Sequence, residues 1–171
     1  MRHLDRRRAT QAEGGYNDEG NYGDGLPQEG DYAGAPPAIR RILMPLARVT
    51  MIKGKSPDYI KKMSDSIYEA LVEAYQMAEN EVFQIIEQLE PGDLIYDRHF
   101  GIKGSRSGDF VIINIESDAR RRGEKQAFLA RLSDKLAASP GIARDDVFVR
   151  LSMTSGLEDW SLGSGIAASK S

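Results

Sequence analysis

The chain has 171 residues, 40% hydrophobic and 29% charged, the proportions of one folded domain with room for a tail. A formal net charge of −3 gives no electrostatic drive toward nucleic acid or an anionic membrane. With no cysteine and only two histidines, His3 and His99, the composition excludes a disulfide framework, a thiol nucleophile and a thiolate- or histidine-rich metal site.

Residues 1–44 differ from the rest. They hold seven glycines, and from Asp5 to Gly25 there is not one Leu, Ile, Val or Phe. Such a stretch buries too little apolar surface to offset chain entropy, so it reads as a disordered tail. Its Lys/Arg positions are all Arg, whereas the remainder carries eight Lys. That contrast allows a second reading, upstream sequence mis-assigned to the protein, with Arg40-Arg41 encoded by a purine-rich ribosome-binding site ahead of an ATG at Met44. The opening "MRHLDRRR" has no apolar h-region behind it, against a secretory signal. No apolar run approaches the roughly 20 residues of a membrane span, so the expected location is the cytoplasm.

From Pro45 the pattern is regular. "LARVTMI" (Leu46–Ile52) alternates as a strand. "GKSP" supplies a turn with Ser56 as helix N-cap and Pro57 at the first helical position. Ile60, Met63, Ile67, Ala70, Leu71 and Ala74 recur at helical spacing and predict a helix from Pro57 to about Met77. "EVFQIIEQL" (Glu81–Leu89) reads as a strand closed by the "EPGD" turn, and a long glycine-bearing loop runs from Tyr96 to Asp109. Its "GIKGSRSG" lacks the Lys-Ser/Thr ending of a phosphate loop, and His99 within it reads as a surface residue. The order then repeats about 65 residues on. "FVIINIES" (Phe110–Ser117) is a strand, and a helix from about Gly123 to Ala138 carries Phe128, Leu132 and Leu136 on one face. "DDVFVRLSM" (Asp145–Met153) is the last strand.

Two β-α-β halves with crossover helices predict parallel pairing within each half. The expected fold is α/β (α+β), a four-stranded sheet with both helices on one face. Its other face would be left apolar and calls for a partner sheet. Residues 45–168 form this domain and residues 169–171 a short C-terminal tail.

Three stretches carry a resemblance. "MPLARVTMIKGKSPDYIKKMSDSIYEAL", "ENEVFQIIEQLEPGDLIYD" and "DDVFVRLSMTSGLEDWSLGSGIA" resemble the opening, middle and "WSFG-x-G-x-A" ending of the tautomerase superfamily, nearest its malonate semialdehyde decarboxylase-like members. That resemblance implies a β-α-β tautomerase fold, a homotrimer, no cofactor, and a small-molecule carboxylate substrate. It also implies a catalytic N-terminal proline, here Pro45, exposed when Met44 is removed. The chemistry is sound on general grounds. A free α-amine titrates at about 7.7–8.0 and serves as acid or base near neutrality, whereas within a chain the same nitrogen is an amide. The alternative is that Pro45 merely starts a strand.

The resemblance further implies a substrate-binding arginine in the run Arg120-Arg121-Arg122 at the start of the second helix. A gap-free register favours Arg120 and the helix start favours Arg121. An arginine fork holds a carboxylate bidentately, and a helix N-terminus favours an anion; a solvated helix start is the plainer reading of such a run. Glu81 stands where the decarboxylases carry a catalytic aspartate, followed by Val82-Phe83 where they carry arginine and an aromatic residue. Its plainer reading is a polar residue in the turn. Trp160, Leu162 and Phe83 are expected to wall the pocket. Three functions follow: a tautomerase of a 2-oxo acid with Pro45 as base, a decarboxylase or hydratase of a 3-oxo acid such as malonate semialdehyde, or a non-catalytic binding protein if residues 1–44 are retained.

Overall fold

The computed structural model describes residues 45–154, 157–163 and 165–168 of the protein. The tail expected over residues 1–44 and the one over 169–171 lie outside the described residues. The first half comprises β1 (Leu46–Ile52), α1 (Pro57–Tyr75) and β2 (Phe83–Leu89). The second comprises β3 (Val111–Ser117), α2 (Arg122–Ala138) and β4 (Val147–Met153). The strands form one sheet in the order β2-β1-β3-β4. Each half pairs in parallel, and the halves join antiparallel through β1 and β3.

The two periodicities meet in one core. Ala47, Val49 and Met51 of β1 and Val111, Ile113 and Ile115 of β3 are buried, and they share a sheet face because alternate residues point the same way. Met63, Ile67, Ala70 and Leu71 of α1 and Phe128, Leu132 and Leu136 of α2 pack on that face. Both helices therefore cover a single side, as the patterning predicts.

The element ends differ from expectation where distant contacts decide them. α1 stops at Tyr75, because Gln76 adopts a left-handed conformation (φ 54°) and its N–H turns back to the Leu71 carbonyl. β2 begins at Phe83, not Glu81. β4 begins at Val147, because Arg144–Asp146 wind a 3-10 turn. The Asp146 carboxylate in that turn accepts from Ser107 N–H and Oγ–H, each at 2.6 Å, which ties the long loop to the head of β4. Tyr96 of the same loop stacks on Phe110 at 4.3 Å, and His99 is exposed.

The open sheet face is not wholly apolar, contrary to the simple alternation argument. Strand register places Phe83 beside Leu46, Ile85 beside Arg48 and Glu87 beside Thr50. The Glu87 carboxylate pairs with Arg48 and accepts from Thr50 Oγ1 at 3.1 Å. Arg150 and Asn114 continue this polar band, while Phe83, Ile85 and Phe148 stay exposed on either side of it. The reason is that β1 and β2 place charged residues on alternating positions that a period of two marks only as "the other face".

Candidate active site

Pro45 immediately precedes β1 and is buried. Because Leu46 pairs with Phe83, this end of β1 lies beside the start of β2. Thr154 leaves β4 with its N–H on the Ser117 carbonyl at 2.8 Å, and Leu157–Asp159 form a 3-10 turn. The segment then doubles back: Ser161 bridges Ala167, and Ala168 N–H donates to the Trp160 carbonyl at 2.8 Å. Gly163 and Gly165 have φ of 135° and 74°, values that only glycine adopts without strain, so the reversal depends on them.

This return closes a pocket of about 460 Å³. Pro45, Leu46 and Phe83 line it from the strands, and Trp160, Ser161, Leu162 and Gly163 from the returning segment. Trp160 commits its indole N–H to Thr154 Oγ1 at 3.2 Å, leaving its ring as an apolar wall. Four residues singled out in the sequence, Pro45, Phe83, Trp160 and Leu162, thus meet in one cavity although the chain separates them by up to 117 positions (162 − 45).

The charged candidates sit elsewhere at the same end of the sheet. Glu81 lies two residues before β2, its N–H on the Ala78 carbonyl at 3.3 Å. Its Oε2 is buried with no hydrogen-bond partner among the described residues. A carboxylate oxygen in that condition has an unfilled demand for a donor. The Arg120 side chain is only 1% exposed and does not line the pocket. Its guanidinium lies over the Tyr75 ring at 4.6 Å, donates to the Tyr75 carbonyl at 3.3 Å and pairs with Asp118 at 2.8 Å. Arg121 is the N-cap of α2, its N–H held by Glu124 Oε2 at 2.7 Å, and Arg122 is the first helical residue. Both are exposed and neither lines the pocket.

Leu46, Ser161 and Gly163 also line the pocket and were not among the expected site residues. Ser161 and Gly163 lie inside "WSLGSG", so the signal was in the motif already quoted. Tyr75 lies outside the pocket lining and holds the Arg120 guanidinium. Its hydroxyl is pushed up to about 12, chiefly by burial, with the Arg120 guanidinium acting in the opposite sense. No local pattern marks it apart from the apolar stripe of α1.

The β-α-β repeat thus sets a proline, at the head of its first strand, on the wall of an apolar pocket. Two family models described as tautomerase enzyme match the chain, over residues 45–109 and 81–163. The solved structure of a malonate semialdehyde decarboxylase is 30% identical, covering 71% of this chain and 93% of its own, with a TM-score of 0.67. The chain belongs to the tautomerase superfamily, and tautomerase-type enzyme activity comes with that membership. The probable tautomerase YusQ of Bacillus subtilis (strain 168) is 27% identical over 125 residues, 72% of this chain and 97% of that protein. A fused 4-OT symmetric trimer, 21% identical with a TM-score of 0.59 over 72% of this chain and 96% of its own, shares the fold.

Proposed function

We propose that the protein is a cofactor-independent tautomerase of a 2-oxo acid, acting in the cytoplasm through the free amine of Pro45 after residues 1–44 are removed or never made. The observation that carries this reading is the position of Pro45 on the pocket wall, at the residue where the family match begins. The amine takes the proton from the enol oxygen as the C=O bond forms, and the ammonium returns a proton to the far carbon of the former C=C bond, so the keto acid forms with no net change at the base. Burial of Pro45 disfavours the ammonium form, which supports a base rather than an acid. The candidates for the carboxylate fork are Arg121 and Arg122, exposed at the head of α2, and Arg120, packed on Tyr75 and paired with Asp118. Phe83, Trp160 and Leu162 wall the substrate.

A second reading is decarboxylation or hydration of a 3-oxo acid. The likeness to a malonate semialdehyde decarboxylase and the buried Glu81 Oε2, without a hydrogen-bond partner among the described residues, favour it. There a protonated Pro45 polarises the carbonyl and Glu81 assists. A non-catalytic binding role remains the reading for a chain that keeps residues 1–44. A homotrimer is the proposed assembly; the exposed Phe83, Ile85 and Phe148 on the open sheet face support a partner sheet there.

The test compares ketonisation of phenylenolpyruvate with decarboxylation of malonate semialdehyde, using protein whose mass begins at Pro45. An amine pKa of about 6–7 in the rate profile marks the base, and one well above about 8 marks the acid. Turnover of neither substrate rejects both catalytic readings.

A further inference from the structure

The Trp160 wall of the pocket depends on a residue outside the lining. We infer that Thr154 is a positioning residue for the reaction, an assignment that rests on Pro45 reacting in this pocket. Its hydroxyl holds the Trp160 ring in place as a wall.

Thr154 directly follows β4 and does not line the pocket. It belongs instead to the frame of the sheet. Ser117 pairs with Met153 in the last rung between β3 and β4, and Ser117 is fully buried. Thr154 N–H extends that ladder by one bond, to the Ser117 carbonyl at 2.8 Å, and its Oγ1–H faces the same carbonyl at 3.3 Å. With the hydroxyl proton directed there, the oxygen keeps its lone pairs for another donor, and the indole N–H of Trp160 donates to it at 3.2 Å. The Trp160 carbonyl accepts from Ala168 N–H at 2.8 Å. The returning segment therefore fixes the backbone of Trp160, and Thr154 fixes the rotation of its ring. A β-branched side chain, stiff at χ1, suits an acceptor that must stay in one place. With that acceptor removed, the indole N–H reaches water by turning the ring off the wall, since a polar group left unpaired is costly. The ring touches the substrate before and during the reaction alike, so its displacement weakens both states together and raises KM rather than lowering kcat.

Thr154→Val keeps the shape and removes the acceptor, whereas Thr154→Ser keeps the hydroxyl. Trp160 is the single tryptophan of the sequence, so fluorescence of the full chain reads its ring alone. Thr154→Val is expected to shift the emission to the red and to raise quenching by acrylamide, and Thr154→Ser to restore both. After the chain is cut before Pro45, Thr154→Val should raise KM for phenylenolpyruvate about 2- to 10-fold, the worth of one hydrogen bond, with kcat within about twofold. On a Trp160→Phe background, which has no N–H to place, Thr154→Val should add nothing. Unchanged emission and KM in Thr154→Val, or an equal rise in KM on the Trp160→Phe background, overturns the assignment. So does a fall in kcat at constant KM, the mark of a fold merely weakened. Absence of turnover in the unsubstituted cut chain, with the emission shift and its serine rescue intact, overturns the Pro45 reading instead and leaves the hold of Thr154 on the ring standing.

Discussion

Replacing Arg120 by Met separates a structural arginine from a substrate-binding one. The stem of Met keeps part of the packing on Tyr75 while the charge is lost. The guanidinium is nearly inaccessible, lies 4.6 Å from the Tyr75 ring centroid, and is 2.8 Å from Asp118, whose side chain is only 16% exposed. Removing one partner of a buried pair leaves the other charge desolvated, at a cost of about 3–5 kcal/mol. Part of the loss is the cation–π contact, on the order of 1–2 kcal/mol when desolvated, and it is contained in that total. Urea unfolding at neutral pH should therefore show a lower midpoint at unchanged m-value. Arg120→Lys should recover only part of it, because an ammonium lacks the planar fork. In Arg120→Met/Asp118→Asn the carboxylate that faced the guanidinium is gone as well, and the double variant should be more stable than Arg120→Met alone. A stability change under about 1 kcal/mol, together with a tenfold or larger rise in KM for an oxo acid, would refute the reasoning and make Arg120 a substrate ligand.

Phe128→Ala should destabilise by about 3–5 kcal/mol, since this fully buried ring packs 4.7 Å from that of Tyr75; chemical denaturation checks it. Arg48→Ala should change the stability of an isolated protomer by less than about 1 kcal/mol, as its Glu87 partner is solvent-accessible, and sedimentation should show whether assembly responds more strongly. Tyr75 gives a pH signature. Its folded pKa, near 12, is raised above the ordinary value of 10, so its contribution is fully present below pH 10 and is lost as pH rises through 12. Tyr75 contributes up to about 1.4 kcal/mol per pH unit to the fall in unfolding free energy across that window, beside Tyr59, which burial also pushes up to about 12, and Tyr75→Phe should remove the Tyr75 share alone.

The β-α-β repeat was legible because each element carries its own period. The Met63-Ile67-Ala70-Leu71 stripe and the Phe128-Leu132-Leu136 stripe are buried where the helical spacing predicts. Ends were less legible where the deciding partner is remote. The turn that delays β4 is fixed by Asp146 meeting Ser107, 39 residues away, and neither residue announces the other. The pocket wall was readable through the "WSLGSG" segment, since Trp160, Ser161, Leu162 and Gly163 come together on it. The arginine run was not. Three identical side chains in a row look alike in sequence, and only the packing of α1 against the β3–α2 turn draws Arg120 inward while Arg121 and Arg122 face out. The mixed character of the open face was hidden for a similar reason. Alternation marks which residues share a face, but register decides that Glu87 stands beside Thr50 and within reach of Arg48.

The central claim concerns the Pro45 nitrogen, which is an amide with Met44 attached and an amine without it. Folding the full chain with a protease site engineered just before Pro45, then measuring enol ketonisation before and after the cut, tests it directly. Baseline turnover in the uncut chain and a gain of about 10²-fold or more on release, with intact mass beginning at Pro45, is the predicted result. Equal turnover before and after, with the uncut mass beginning at Met1, would contradict it.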